Sequence, residues 1–279
     1  MIQNDLPNPS PQVIEVGCEL SYQVNFPTSI LLQVAVAQSE QQRVMSESLL
    51  VNPYYPVQEY SSGSMANRTH KLVAEAGPML IQYRASVVLE PQLMQQQSIQ
   101  EIPHSQLPPE VLPFLNPSRY CESDRLIKFS HDEFGYADPG YARVQQITDW
   151  VHRHLEYVPG STGSTDTACD VLLKRAGVCR DYAHLAIAFC RAVGIPARYV
   201  SGYALDLQPP DFHGFFEAYL KNGWNLFDAT KLAPVSGFVR IGVGMDAAEV
   251  SFASFVGDMF GTDMRVWAHT AYLEPAGNQ

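Results

Sequence analysis

Three side chains in the second half of this chain, Cys179, His213 and Asp228, have the types needed for nucleophilic catalysis. A thiol attacks a carbonyl as thiolate, and an ordinary cysteine is mostly protonated near neutral pH. Gly177-Val178-Cys179 puts the sulfur at the start of an apolar helix, where the positive dipole end and unpaired N–H groups favour an anion. The same N–H groups are aimed where an oxyanion would form on an attacked carbonyl. Such a thiol needs an imidazole beside it and a carboxylate or amide that fixes the imidazole's tautomer. His213 opens one strand of a hairpin turning at Asn222-Gly223, and Asp228 lies near the end of the other. Their positions are out of step by a few residues, yet side chains on adjacent strands can still meet.

The elements that would hold these residues are legible from periodicity. Tyr141–Val158 spaces Val144, Ile147, Trp150, Val151 and Leu155 along one helical face. Ser164–Ala176 reads as a second helix, with Ser164, Thr165 and Asp166 as capping residues and a stop at Gly177. Cys179–Val193 is apolar almost all round, hence a buried third helix, ended by Gly194-Ile195-Pro196. Strands follow at Ala197–Ala204, His213–Leu220 and Trp224–Ala229.

The first half differs. Gln12 to about Glu90 alternates with a period of two, and turn signals such as Asn52-Pro53, Ser61-Ser62-Gly63-Ser64 and Gly77-Pro78 punctuate it. It reads as an antiparallel sheet or small sandwich. Gln95–Pro117 carries five prolines and suits an extended connector. The expected class is α+β, with a β-rich domain over 1–115 and a catalytic domain over 116–279.

Bulk composition narrows the partners. The 279 residues include 18 Lys+Arg against 29 Asp+Glu, a net charge of −11, which argues against nucleic acid or an anionic membrane. The N-terminus lacks a basic start followed by an apolar run, so no secretory signal is expected. No stretch approaches the ~20 apolar residues of a membrane span. Five cysteines at irregular spacing, with no CxxC pair, exclude the usual zinc-ribbon and thioredoxin readings and fit a reducing, cytoplasmic setting.

Gly177-Val178-Cys179-Arg180-Asp181-Tyr182-Ala183-His184-Leu185, followed by Gly194-Ile195-Pro196-Ala197-Arg198, resembles the nucleophile segment of transglutaminase-like proteins. His213-Gly-Phe-Phe-Glu-Ala-Tyr-Leu and Gly223-Trp-Asn-Leu-Phe-Asp228-Ala-Thr resemble the family's histidine and aspartate segments. Ser118–Asp124 is similar to a segment of the bacterial branch, whose members carry a β-rich N-terminal domain. The resemblance implies a papain-like fold and a Cys179–His213–Asp228 triad that transfers an acyl group from an amide through a thioester. Water as acceptor gives a cysteine peptidase or amidase, the first reading, with a peptide or protein amide as substrate. An amine as acceptor gives a transglutaminase, the second; a non-catalytic peptide-binding module is the third. No cofactor or metal is implied, because the calcium-site regions of animal transglutaminases are missing. Those enzymes also carry a tryptophan upstream of the nucleophile that stabilises the oxyanion. Here Trp150 lies on a separate helix and Tyr157 is the nearest aromatic, so the second oxyanion donor is unassigned.

Other candidates have plainer roles. Cys190, Cys18 and Cys169 read as structural, Cys121 as packing, and His184 as a core residue pointing away from the sulfur. His152 and His154 read as solvated. Asp181 suits a first-turn capping role, Glu217 a supporting one, and Phe212, Phe215, Phe216 and Tyr219 read as core and cleft wall.

Overall fold

The computed structural model describes residues 12–39, 41–62, 65, 67–90 and 99–271. The predicted Gly63-Ser64 turn and the start of the connector at Gln95 lie outside them. Six strands form the N-terminal half: β1 (Gln12–Val24), β2 (Thr28–Leu32), β3 (Gln42–Asn52), β4 (Gln58–Ser62), β5 (Asn67–Ala74) and β6 (Gly77–Leu89). Their period-two pattern puts Ile14, Val16, Cys18 and Leu20 of β1, Ile30 and Leu32 of β2, Leu72 and Ala74 of β5, and Ile81 and Tyr83 of β6 into one core. This is the packing of a sandwich.

The connector is not plainly extended. Its prolines permit 3₁₀ turns at His104–Gln106 and Pro109–Leu115, and the second buries Val111 and Phe114. Next come α1 (Ile127–Phe134), α2 (Tyr141–His154), β7 (Glu156–Tyr157), α3 (Ala168–Lys174), β8 (Ala176–Gly177) and α4 (Cys179–Ala192). Helix α3 starts later than its sequence suggested. Thr167 is the N-cap and exchanges hydrogen bonds with Asp170, while Ser164 to Asp166 stay outside; the helix stops at Arg175, in the left-handed region at φ +55°. Helix α4 keeps the predicted start and is buried from Asp181 to Arg191.

Strands β9 (Ala197–Ala204), β10 (Phe212–Leu220), β11 (Gly223–Phe227) and β12 (Phe238–Gly244) form the second major sheet, in the order β11-β10-β9-β12. Phe216, Ala218 and Leu220 of β10 join the core under α4 with Leu185, Ala186 and Phe189. Phe215 packs instead with Val200, Leu226 and Phe238, on the other side of the pleat.

Two last strands correct the expected division of the chain. β13 (Ala253–Val256) pairs with β2, and β14 (Met259–Thr270) pairs with β1 along most of its length. One sheet therefore runs β14-β1-β6-β3 and the other β13-β2-β5-β4, so the C-terminal segment completes the N-terminal sandwich. Gly17 shows how closely they fit: a Cβ there would run into the Trp267 indole. The two halves are also continuous in packing, since Tyr203, Val239 and Ile241 of the second sheet lie in the sandwich core. Two amides seal the contact at β12, an edge strand. Gln42 donates to the Arg240 carbonyl at 2.8 Å and accepts the Arg240 N–H at 2.8 Å; Asn67 does the same for Val243 at 2.7 and 2.9 Å. Strands 253–256 and 259–270, beyond the expected boundary near 115, thus belong with the sandwich.

Candidate active site

The start of α4 is fixed by Asp181. Its carboxylate is fully buried and accepts the Val178 N–H at 2.9 Å, the Thr162 hydroxyl, and Arg180 Nε and Nη2 at 3.1 and 2.9 Å. Gly177 is required by this closeness, since a Cβ there would sit 2.7 Å from Asp181 Cβ. Arg180 also donates to the Gly163 carbonyl at 2.7 Å, tying the 160–163 loop to the helix start. The first-turn carboxylate expected as a cap therefore also holds the chain on both sides of Cys179, which is half-buried.

The His213–Asp228 offset resolves through the hairpin. Leu220 pairs with Gly223 and Phe216 with Phe227, so β11 ends opposite the middle of β10 and Asp228 is the first residue beyond it. From there the carboxylate turns toward His213, with Oδ2 3.3 Å from Nε2. Asp228 is held hard: Oδ1 accepts the Thr230 N–H at 2.8 Å and hydroxyl at 2.7 Å, and Oδ2 accepts the Leu232 and Ala233 N–H groups at 3.1 and 3.2 Å. Thr230 Oγ1 also lies 3.3 Å from His213 Nε2. Sequence reasoning did not reach Thr230, although its place two residues after an aspartate is a common turn arrangement.

His213 is 1% exposed and stands edge-on to Phe215. Nδ1 has no hydrogen-bond partner among the described residues, and the remaining polar side chain acting on the imidazole is Cys179. Burial works against a charged imidazole. Asp228 and Cys179 together outweigh it and raise the His213 pKa to about 9. Cys179, His213 and Asp228 are thus brought together.

Tyr157, the nearest aromatic in the sequence, comes close to Cys179. Strand β7 pairs in parallel with β8, Tyr157 opposite Gly177, and Val158 N–H donates to the Gly177 carbonyl at 3.0 Å. This short ladder brings the Tyr157 hydroxyl against both the backbone and the side chain of Cys179. Burial, then the proximity of Cys179, push the phenol pKa up, so it keeps its proton and can donate. Trp150 is spent elsewhere: its indole N–H donates to Glu133 at 3.1 Å and His154 stacks on it at 3.8 Å. His154 is therefore half-packed and not simply solvated.

The remaining candidates fall into place as structure. His184 is buried, accepts the Ala247 N–H at 3.1 Å, stacks on Tyr120, and burial pulls its pKa to about 3. Glu217 is 1% exposed and held between Arg198 and Arg240. Cys18, Cys121 and Cys190 are buried, and all five cysteines are free.

Residues 129–229 match the transglutaminase-like superfamily, and residues 13–110 match the bacterial transglutaminase N-terminal domain. A Cytophaga hutchinsonii protein of known structure, provisionally described as a cysteine protease, is 40% identical, with a TM-score of 0.91 over 96% of this chain and 93% of that one. An uncharacterized protein of Mycobacterium leprae is 33% identical over 37% of this chain and 39% of its own length. One from Mycobacterium tuberculosis is 35% identical over 34% and 30%. These alignments span well under half of the mycobacterial relatives. The chain belongs to the transglutaminase-like superfamily, in the group with the bacterial N-terminal domain. It is of the α+β class and of a thiol-dependent enzyme family, and among the described residues no helix is long and apolar enough to cross a membrane.

Proposed function

We propose that this protein is a thiol-dependent acyl-transfer enzyme acting on amide or peptide bonds, a cysteine peptidase or amidase. Cys179 is the nucleophile, His213 carries the proton and Asp228 orients the imidazole. One observation carries the reading: His213, pinned at Nε2 by Asp228 and Thr230, is buried with a half-buried thiol at a helix start acting on its imidazole. His70 and His184 also leave Nδ1 without a partner among the described residues, so what sets His213 apart is the clamp of Asp228 and Thr230 on Nε2 together with the neighbouring thiol.

In the first half-reaction the thiolate attacks the carbonyl carbon and the C=O pair moves onto oxygen, where the Cys179 N–H and Tyr157 O–H donate to it. The C–N bond then breaks, His213 passes its proton to the departing amine, and the acyl group remains as a thioester on Cys179. Water next gives a proton to His213, attacks the thioester and releases the acid, restoring the thiolate–imidazolium pair. Transamidation is the second reading, with an amine in place of water. The substrate is a peptide or protein amide, and five free cysteines suit a reducing compartment, for which we propose the cytoplasm.

The test is labelling with a thiol-directed, peptide-like electrophile followed by mass spectrometry. Modification should concentrate on Cys179, while Cys169, also half-buried, serves as an internal control. Equal modification of the two would refute the proposal.

A further inference from the structure

Thr230 follows Asp228 by two residues, and the turn that carries it folds back on the carboxylate. Lys231 lies in the left-handed region at φ +56°, which reverses the chain and returns the Leu232 and Ala233 N–H groups to Asp228 Oδ2. The Thr230 hydroxyl is thereby set among three polar groups: Asp228 Oδ1 at 2.7 Å, the Leu232 N–H at 3.1 Å and His213 Nε2 at 3.3 Å. A hydroxyl has one proton and two lone pairs. The carboxylate can only accept and the amide can only donate, so the proton goes to Oδ1 and one lone pair receives Leu232. What remains for His213 is the other lone pair. Nε2 therefore faces two acceptors, Thr230 Oγ1 and Asp228 Oδ2, each at 3.3 Å. His213, Asp228 and Thr230 are all buried, so bulk water does not compete for these contacts.

An unprotonated Nε2 would aim its own lone pair at two others. The arrangement is favourable only when Nε2 carries a proton and shares it between them, and such partners decide which imidazole nitrogen is protonated. In the neutral ring the free lone pair then falls to Nδ1, the nitrogen without a hydrogen-bond partner among the described residues. We infer that Thr230 is a positioning residue: its hydroxyl, oriented by Asp228, joins the carboxylate in committing His213 to the Nε2–H tautomer and so makes Nδ1 the nitrogen that exchanges the proton. The S–H bond of Cys179 breaks with its electron pair left on sulfur, and the proton forms an N–H bond at Nδ1. On cleavage that same proton goes to the departing amine, and Nε2 keeps its own throughout. The inference rests on Cys179 and His213 being the reacting pair, and it names which nitrogen acts and what selects it.

Nitrogen NMR of the full chain, labelled at histidine, reads the tautomer directly, because protonated and bare ring nitrogens resonate far apart. The parent for this measurement is Cys179→Ala, in which the neutral imidazole is reached without the thiol; adding His213→Ala identifies the signals. The parent should hold its proton on Nε2. Thr230→Val keeps the side-chain shape and removes the hydroxyl, and should move a measurable share of the proton to Nδ1; Thr230→Ser should restore it to Nε2. With Cys179 present, iodoacetamide labelling at pH 6 should slow about three- to tenfold in Thr230→Val, the size of one buried hydrogen bond, and recover in Thr230→Ser, with Cys169 as internal reference. A proton on Nδ1 in the parent would overturn the inference even if Thr230→Val failed to fold. A Thr230→Val protein with the parent's tautomer, or with an unchanged labelling rate, would overturn it too, and would leave the enzyme reading intact. If wild type were labelled at Cys179 no faster than at Cys169 at pH 6, the enzyme reading itself would fall, and the role given to Nδ1 with it.

Discussion

Strand β10 carries two buried titratable groups, His213 at its start and Glu217 just past its middle, and the two are treated in opposite ways. At Glu217 both carboxylate oxygens are saturated: Oε2 takes Arg198 at 2.7–2.8 Å and Oε1 takes Arg240 Nε and Nη2 at 3.1 and 2.8 Å. Arg198 is further covered by the Trp224 ring, 3.9 Å from its centroid. Burial opposes the Glu217 charge, and the two guanidinium groups overcome it and hold its pKa low. At His213 one nitrogen is clamped and the other has no hydrogen-bond partner among the described residues. The same strand thus contains a closed ion network and an open one. A network that satisfies every atom has nothing left with which to react. An unsatisfied atom in a buried site costs stability, and here it belongs to a residue on which the thiol of the proposed nucleophile acts.

The contrast can be broken most forcefully at the open end. Cys179→Ala should reduce acyl transfer on a confirmed substrate by about 10⁴-fold or more, with the melting temperature unchanged within a few degrees. Turnover close to that of wild type would end the account. Asp228→Asn should lower turnover by about 10²- to 10⁴-fold through the wrong imidazole tautomer. It should also cost stability of about 1–3 kcal/mol by denaturant titration. An amide has one acceptor oxygen where the carboxylate uses both, so some of the Thr230, Leu232 and Ala233 N–H groups would lose their partner.

At the closed end the signs reverse. Glu217→Gln should cost about 3 kcal/mol or more, because two largely buried guanidinium groups lose their shared charge. Its labelling rate at Cys179 should match wild type under native conditions. A large loss of reactivity with no loss of stability would mean the two ends are not separate devices. The smallest effect belongs to Tyr157→Phe, which removes one oxyanion donor and should lower turnover about tenfold to a hundredfold while leaving alkylation of Cys179 unaffected, since alkylation forms no oxyanion.

Much of the open end was legible because its signals are local. A glycine, a valine and a cysteine ahead of an apolar helix mark the proposed nucleophile, and Asn222-Gly223 marks the hairpin that carries His213 and leads to Asp228. Tyr157 was visible only as the nearest aromatic, because β7 and β8 have two residues each and a ladder that short leaves no periodicity. Strand β14 escaped for another reason: only Met259 and Val266 of its twelve residues are buried, so its place is set by backbone pairing to β1 and not by an apolar face. The α3 start misled because Ser164, Thr165 and Thr167 are all good caps, and only Thr167 has an aspartate three residues on that answers it.

The central claim is that His213 holds Cys179 in a thiolate–imidazolium pair. The direct measurement is the rate of Cys179 alkylation by iodoacetamide against pH, in wild type and in His213→Ala. Because the His213 pKa is raised to about 9, the imidazolium is present below that value and is lost as the pH rises through it. Wild type should therefore react at least about tenfold faster than His213→Ala at pH 6, and the two rates should converge above pH 9, where a thiolate forms without help. Superimposable profiles across the whole range would contradict the pair, and the triad with it.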